Sequence, residues 1–285
     1  MTIAPNPTVR RKQLGSLLRR LREQAGVSID EAAEHLMCSS SKISRLETGH
    51  RGISPRDVRD LLDRYGITDP EQRQALMDIG RESKRRGWWR AYSDVISDEY
   101  SVLIGLETAA KSVYSYEASI VPGLFQTAEY AHAVTRSLNP GISDEEVERR
   151  VGVRATRQSV LERDDPLHMW VVLDEAVLRR PLGGEEAMRV QLRHLIQVAK
   201  PPHVTLQVMP FAAGGHAGML GAFKILEFSD PDDQDVAYAE TAAGETWVEK
   251  TDDVQRYRLM FDHLRALALG PGASAKLIAE VAKEL

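Results

Sequence analysis

The sequence has one cysteine, Cys38, which excludes an internal disulfide and any cysteine-rich zinc site. It has no apolar run near the ~18 residues that a membrane-crossing helix needs. Its opening, MTIAPNPTVRRKQ, lacks the apolar stretch of a secretory signal. It also lacks the short patterns that carry common chemistry. There is no H-E-x-x-H, no P-loop, no G-x-S-x-G, and no G-x-G-x-x-G after a strand. The glycine-rich GGHAGMLG has no lysine and precedes a strand, so it is a poor phosphate cradle, and His216 within it reads as a solvated loop side chain in preference to a ligand. These absences lead to an expectation of a soluble cytoplasmic protein that is no enzyme and takes no metal or cofactor.

What is present is an uneven distribution of charge. At 285 residues the chain is long for one domain. Residues 1–86 hold 17 Lys and Arg against 12 Asp and Glu, whereas residues 87–285 hold 20 against 30. A basic headpiece on an acidic body suits a module that meets DNA joined to one that must not. Gly87-Trp88-Trp89 marks the divide. Adjacent tryptophans cannot share one face of a helix or strand. One is therefore expected to pack into the second domain and the other onto the connecting helix, with ligand stacking the less favoured alternative. The expected plan is a flexible arm over 1–8, a five-helix domain over 9–86, and a second domain over 87–285.

Within the headpiece, VSIDEAAEHLMCSSSKISRLETGHRGI (27–53) fits two short helices joined by a tight turn. Ser28 and Glu31 form a capping box, each satisfying a free backbone N–H of the other. Ser39 offers a second N-cap. Ile43 and Leu46 fall on the inner face of the second helix, so Ser40, Ser41, Ser44 and Arg45 share the outer face. That face carries short hydrogen-bonding groups and one long cation, and the major groove accepts such a face. A bland alternative, a small bundle with a polar solvent face, fits the spacing as well. Around the pair, a first helix over 9–25 carries Leu14, Leu17, Leu18 and Leu21 on one stripe and begins with Arg10, Arg11 and Lys12. A fourth helix starts at Ser54-Pro55, and a fifth runs from Thr68 or Asp69 to about Arg86.

The pattern S-x-x-E-A-A followed by S-x-x-x-I-S-R-L-E-x-G resembles the Xre family of helix-turn-helix regulators, the phage-repressor type. The resemblance implies a lambda-repressor-like all-α domain whose second helix enters the major groove. By matched position it implies base reading by Ser40, Ser41, Ser44 and Arg45. Contacts to DNA phosphates are expected from Ser28, Ser39, Lys42 and Arg51, while Arg10, Arg11 and Lys12 at the start of the first helix fit phosphate contacts and a solvated basic end equally. A structural ion pair would join Arg22 to Glu47. The family often has glutamine after the capping serine and glycine in the turn; here those positions are Ile29 and Met37.

For the second domain the hydrophobic pattern predicts a helix over 94–116, helices near 127–138 and 143–163, and a strand over 168–174. A short helix follows over 175–180, then a helix over 185–199 and a strand over 204–211. Three short strands are expected at 222–228, 235–240 and 245–250, then a long helix over 252–269 and a last one capped by Ser274. This is an α+β chain with a mixed sheet of about five strands covered by helices. The helical crossover makes the first two strands parallel and the tight connections make the rest antiparallel. Arg154, Arg157, Arg179 and Arg180, read beside Asp174 and Glu175, are expected to form structural ion pairs rather than to receive an acidic partner.

The stretches VPGLFQTAEYA, RATRQSVL, VVLDEAVLRRPLGG, VTLQVMPF and GAFKILEF resemble the C-terminal domain of actinobacterial WhiJ-like regulators, also described as antitoxin-like. The resemblance implies a regulatory module without catalytic activity or cofactor, and a small BldB-like protein as partner. The combined expectation is a sequence-specific transcriptional regulator, a repressor, that binds double-stranded DNA as a homodimer under control of that partner. The alternative is a regulator that senses a small molecule in a pocket of the second domain. Trp88, Trp89 and the four arginines are the residues singled out for a partner or ligand.

Overall fold

Ser28, Ser39 and Ser54 each stand one residue before a helix, and each hydroxyl accepts a backbone N–H of the first turn. The computed structural model describes residues 7–49, 51–82, 87–229, 234–241 and 244–285. The chain divides into two compact units, residues 1–109 and 110–285. No helix among the described residues is long and apolar enough to cross a membrane.

In the first unit α1 spans Pro7–Gln24, α2 Ile29–His35, α3 Ser40–Glu47, α4 Pro55–Arg64 and α5 Pro70–Glu82. A 3-10 segment, Trp88–Tyr92, and α6, Asp98–Ala109, follow. Of the arm expected over 1–8, residues 1–6 lie outside the described residues, while Pro7 and Thr8 open α1. The end of the fifth helix, 83–86, also lies outside them. The boundary expected at Gly87 falls inside this unit, because α6 packs back on α1. A helix as short as α2, with seven residues, is not stable alone. It stands because Ala32 and Ala33 bury against a core built on Leu14, Leu18, Ile43, Leu46, Val58, Leu61 and Leu62. Gly15 lets α1 lie directly on the end of α3, since a Cβ there would sit 2.6 Å from the carbonyl oxygens of both Leu46 and Glu47. Gly49 ends α3 with φ +72°, and a Cβ there would meet the Lys12 backbone at 2.8 Å.

In the second unit β1 spans Ser112–Glu117, α7 Ala128–Leu138, α8 Asp144–Arg157, β2 His168–Asp174, α9 Glu175–Arg179 and α10 Glu185–Val198. Then come β3 Val204–Met209, β4 Phe223–Glu227, β5 Val236–Thr241, β6 Gly244–Val248, α11 Thr251–Leu267 and α12 Pro271–Glu284. The sheet is mixed and six-stranded, in the order β3-β2-β1-β4-β5-β6. The expected count of five omits β1, whose residues lie at the end of the helix expected over 94–116. The helix instead stops at Ala109, and SVYSYE pairs parallel with β2 and antiparallel with β4. Its tyrosines and valine fit a pleated surface, and Val113 suits either period. As expected, β2 and β3 are parallel while β4, β5 and β6 are antiparallel.

Helix α11 packs on β1, β3, β4 and β5, burying Val254, Phe261 and Leu264 against Tyr116, Val172, Phe223 and Ile225. Val171, Val172 and Leu173 are all buried, so β2 is covered on both faces. The outer edge of β3 is also closed: Leu269 N–H donates to Val208 O at 2.9 Å, and Val208 N–H donates to Ser274 Oγ at 2.9 Å. Ser274 is therefore not the cap of the last helix, which starts earlier because Pro271 fits its first turn. A bare edge would be open to pairing with other chains.

Candidate nucleic-acid interface

The geometry of α2 and α3 begins with the turn between them. Met37 has φ +49°, the sole non-glycine residue with positive φ among those described, and its side chain is 89 % exposed. The left-handed residue swings the chain so that Ser39 can cap α3, with Lys42 N–H on Ser39 Oγ at 3.2 Å. Ser28 and Glu31 make both bonds of the capping box, at 3.1 and 2.8 Å. That places the Glu31 carboxyl below the ordinary carboxylate range, first through the Ser28 backbone N–H.

The outward face of α3 exposes Ser41, Ser44 and Arg45, with Ser40 half-buried beside them. Arg45 Nη2 donates to Ser41 Oγ at 2.9 Å and its Nε to Ser41 O at 3.3 Å. Two carboxylates outside the expected set also shape this face. Ser40 Oγ donates to Asp30 of α2, and Lys42 Nζ pairs with Asp57 of α4 at 3.1 Å. Their signal is faint in sequence because each partner lies ten or more positions away. Ser28, Ser39 and Arg51 are exposed and Arg10 is half-buried. Lys12 is buried against the end of α3, and half-buried Arg11 lines a cavity of the same unit.

Beneath this face Arg22 and Glu47 are both buried. Arg22 Nε and Nη2 donate to the two Glu47 oxygens at 2.6 and 3.1 Å, and Nη1 donates to Val27 O at 2.9 Å. The hydrogen bond to Glu47 raises the guanidinium pKa against the opposing cost of burial. The fork ties the end of α1 to the end of α3.

In the second unit the singled-out arginines do not converge on one site. Arg154 Nη1 donates to Ala131 O at 3.0 Å and Thr135 Oγ1 at 2.6 Å, joining α8 to α7. Arg157 is buried beside Gly123. Arg179 pairs with Glu175 at 2.7 Å and with Glu284 of α12 at 2.9 Å, while Arg180 is exposed. Trp88 and Trp89 belong to the first unit, edge to face at 5.9 Å, with Trp89 buried. No group of three or more His, Cys, Asp or Glu suited to a metal occurs among the described residues.

His216 corrects its reading as a solvated loop side chain. Its side chain is only 9 % exposed, with Nε2 3.6 Å from Asp174 Oδ2. Nδ1 accepts the Gly218 N–H at 3.2 Å, and the ring lies edge-on to Tyr116 at 5.7 Å. Tyr116 in turn donates to Asp174 Oδ2 at 3.1 Å, and burial followed by the Asp174 charge pushes its hydroxyl pKa up. The missing signal was β1, which supplies Tyr116. Gly218 allows the approach, because a Cβ there would sit 2.4 Å from the tyrosine ring. With Phe211 N–H on Glu175 Oε2 at 2.9 Å, these contacts fasten the loop over 211–221 to the sheet. Phe211, Met219 and Leu220 nevertheless stay exposed, Leu220 at 92 %.

The family model of a helix-turn-helix domain matches residues 13–76. The model of a domain of unknown function, DUF5753, matches residues 100–280. No match was found among curated proteins or among solved structures. The helix-turn-helix match covers α2 and α3 whole, and the second match covers the entire six-stranded sheet. The chain is thus a helix-turn-helix DNA-binding regulator that belongs to the family defined by the domain of unknown function DUF5753.

Proposed function

We propose that this regulator is a cytoplasmic, sequence-specific transcriptional repressor. It binds its operator as a homodimer, with affinity controlled by a small BldB-like protein held on the second unit. The reading rests chiefly on one observation: α3 offers Ser41, Ser44 and Arg45 on one exposed face, above the buried Arg22–Glu47 fork. Such a face reads base edges through short donors and acceptors and one guanidinium. Ser40 joins them once its hydroxyl leaves Asp30. Ser28, Ser39, Lys42, Arg51 and Arg10 supply backbone contacts that set the register without reading sequence. Few base contacts come from one headpiece, so two would sit on half-sites ~34 Å apart.

Support for the protein partner comes from the loop over 211–221. Exposed apolar side chains on a loop fastened by Asp174 and Glu175 suit a preorganised contact surface. The alternative, a small-molecule sensor in this unit, meets a cavity of about 160 Å³ lined by Tyr114, His168, Trp170 and His203. That is below the ~300–1,000 Å³ usual for ligand pockets. The test is a pull-down with the full chain as bait from native lysate, with eluates titrated on promoter DNA. A stoichiometric small protein that changes DNA affinity is the expected result. A bait that binds DNA alone, with no such protein, would move the reading to the small-molecule sensor.

A further inference from the structure

The first unit contains a polar cavity that DNA reading leaves unused. It measures about 220 Å³ and is lined by Arg11 of α1, by Trp89, Arg90 and Ser93, and by Asp98, Ser101 and Val102 of α6. Arg11 Nε is buried and has no hydrogen-bond partner. Burial and the neighbouring charge of Arg90 both push the Arg11 pKa down, and Asp98 only partly opposes them. No ion pair within 4.0 Å joins Asp98 to Arg11 or Arg90 among the described residues. Two guanidiniums and one carboxylate leave a net positive charge around a partly desolvated space. A half-buried guanidinium whose Nε is desolvated without a partner carries a cost that an anion completing its hydrogen bonds removes.

We propose that this cavity binds a small oxyanion, a phosphate or carboxylate group, between Arg11 and Arg90. Ser93 and Ser101 donate further hydrogen bonds, and Trp89 and Val102 close the apolar side. A space of 220 Å³ admits an inorganic ion or a metabolite of a few heavy atoms. Nucleotides exceed it. Arg11 thereby serves a free oxyanion rather than a DNA phosphate.

The test is calorimetric titration of the full chain, without DNA, with inorganic phosphate and separately with acetate and citrate, at constant ionic strength. Saturable 1:1 binding of at least one anion is expected. Phosphate preferred over acetate identifies a phosphate group as the ligand, and the reverse identifies a carboxylate. Arg90 is exposed, so Arg90→Gln keeps the fold and should weaken binding at least tenfold. Arg11→Gln should abolish binding while raising the anion-free melting temperature, because it removes the uncompensated cation; a purely structural arginine would lower it. Absence of binding by all three anions, or binding unchanged in Arg90→Gln, overturns the proposal. If Arg90→Gln instead loses DNA affinity while the parent binds none of the anions, the site is a DNA-phosphate contact and the proposal is likewise overturned.

Discussion

Arg45 is the long cation on a face of serines, and its present partner is its neighbour Ser41. To reach a base it must release an exposed i,i+4 side-chain bond worth ~0.2–0.5 kcal/mol. A bidentate contact to a guanine edge returns ~1–3 kcal/mol, so the base wins. Arg45→Ala should therefore cost ~1–3 kcal/mol on the best operator and flatten the preference at one base position. Selection from a randomised operator library reads both effects, and an unaltered preference would remove Arg45 from base reading. Glu47 acts differently, since it touches no exposed surface. Glu47→Ala leaves Arg22 buried with Val27 O as its remaining hydrogen-bond acceptor and the exposed Glu23 carboxylate 3.7 Å away. Breaking a buried pair from one side costs about 3 kcal/mol. In a unit of this size that lowers the melting temperature by on the order of 12 °C. Parent-like melting of the variant would show that the fork contributes nothing to the fold.

Elements differ in how far they can be read from their own residues. The serine caps of α2, α3 and α4, the α2–α3 pair and the parallel β2–β3 crossover are legible because their determinants lie within a few positions or one helical period. Strand β1 is not, because its partners begin at His168 and Glu227, far along the chain. The setting of His216 is illegible for the same reason: its neighbours Tyr116 and Asp174 sit on two strands far from it in the chain. The carboxylates flanking the recognition face, Asp30 and Asp57, were likewise invisible to spacing. Local conflict was legible at Met37, where a side chain occupies a conformation that favours glycine. A non-glycine residue there costs ~1–3 kcal/mol, and glycine adds ~0.5–1 kcal/mol of chain entropy. The exposed side chain contributes no packing, so Met37→Gly should stabilise the first unit by about 1 kcal/mol in urea unfolding. A lower midpoint would mean that the turn is unstrained. On α10, burial depresses the His194 pKa. The unfolded chain takes up this proton near pH ~6.5, but the folded chain only at lower pH. His194 thus leaves stability intact above about pH 6.5 and erodes it as pH falls toward the folded value. Urea unfolding at pH 7.5, 6.5 and 5.5 should show a flatter decline in His194→Gln than in the parent. Parallel declines would mean that His194 titrates alike in both states.

At the scale of the whole molecule, the net charge of −5 conceals a basic headpiece, so binding should be salt-dependent despite the acidic total. The number of headpieces on the operator can be counted through this dependence. Each neutralised phosphate contributes about −0.9 to the slope of log affinity against log salt concentration. With Arg10, Lys42 and Arg51 each meeting one phosphate, one headpiece gives a slope of about −3 and a dimer about −5. Absolute slopes also include the cost of the acidic unit, so the difference between variants is the firmer quantity. Arg51 is exposed, which makes Arg51→Gln a mild change for the fold. The substitution should make the slope less negative by about 1 if one headpiece binds and by about 2 if two bind, with the base preference unaltered. A change near 2, measured between 50 and 200 mM salt, supports the homodimer. A change near 1 would assign the operator to a single chain, and no change would take Arg51 away from the phosphates.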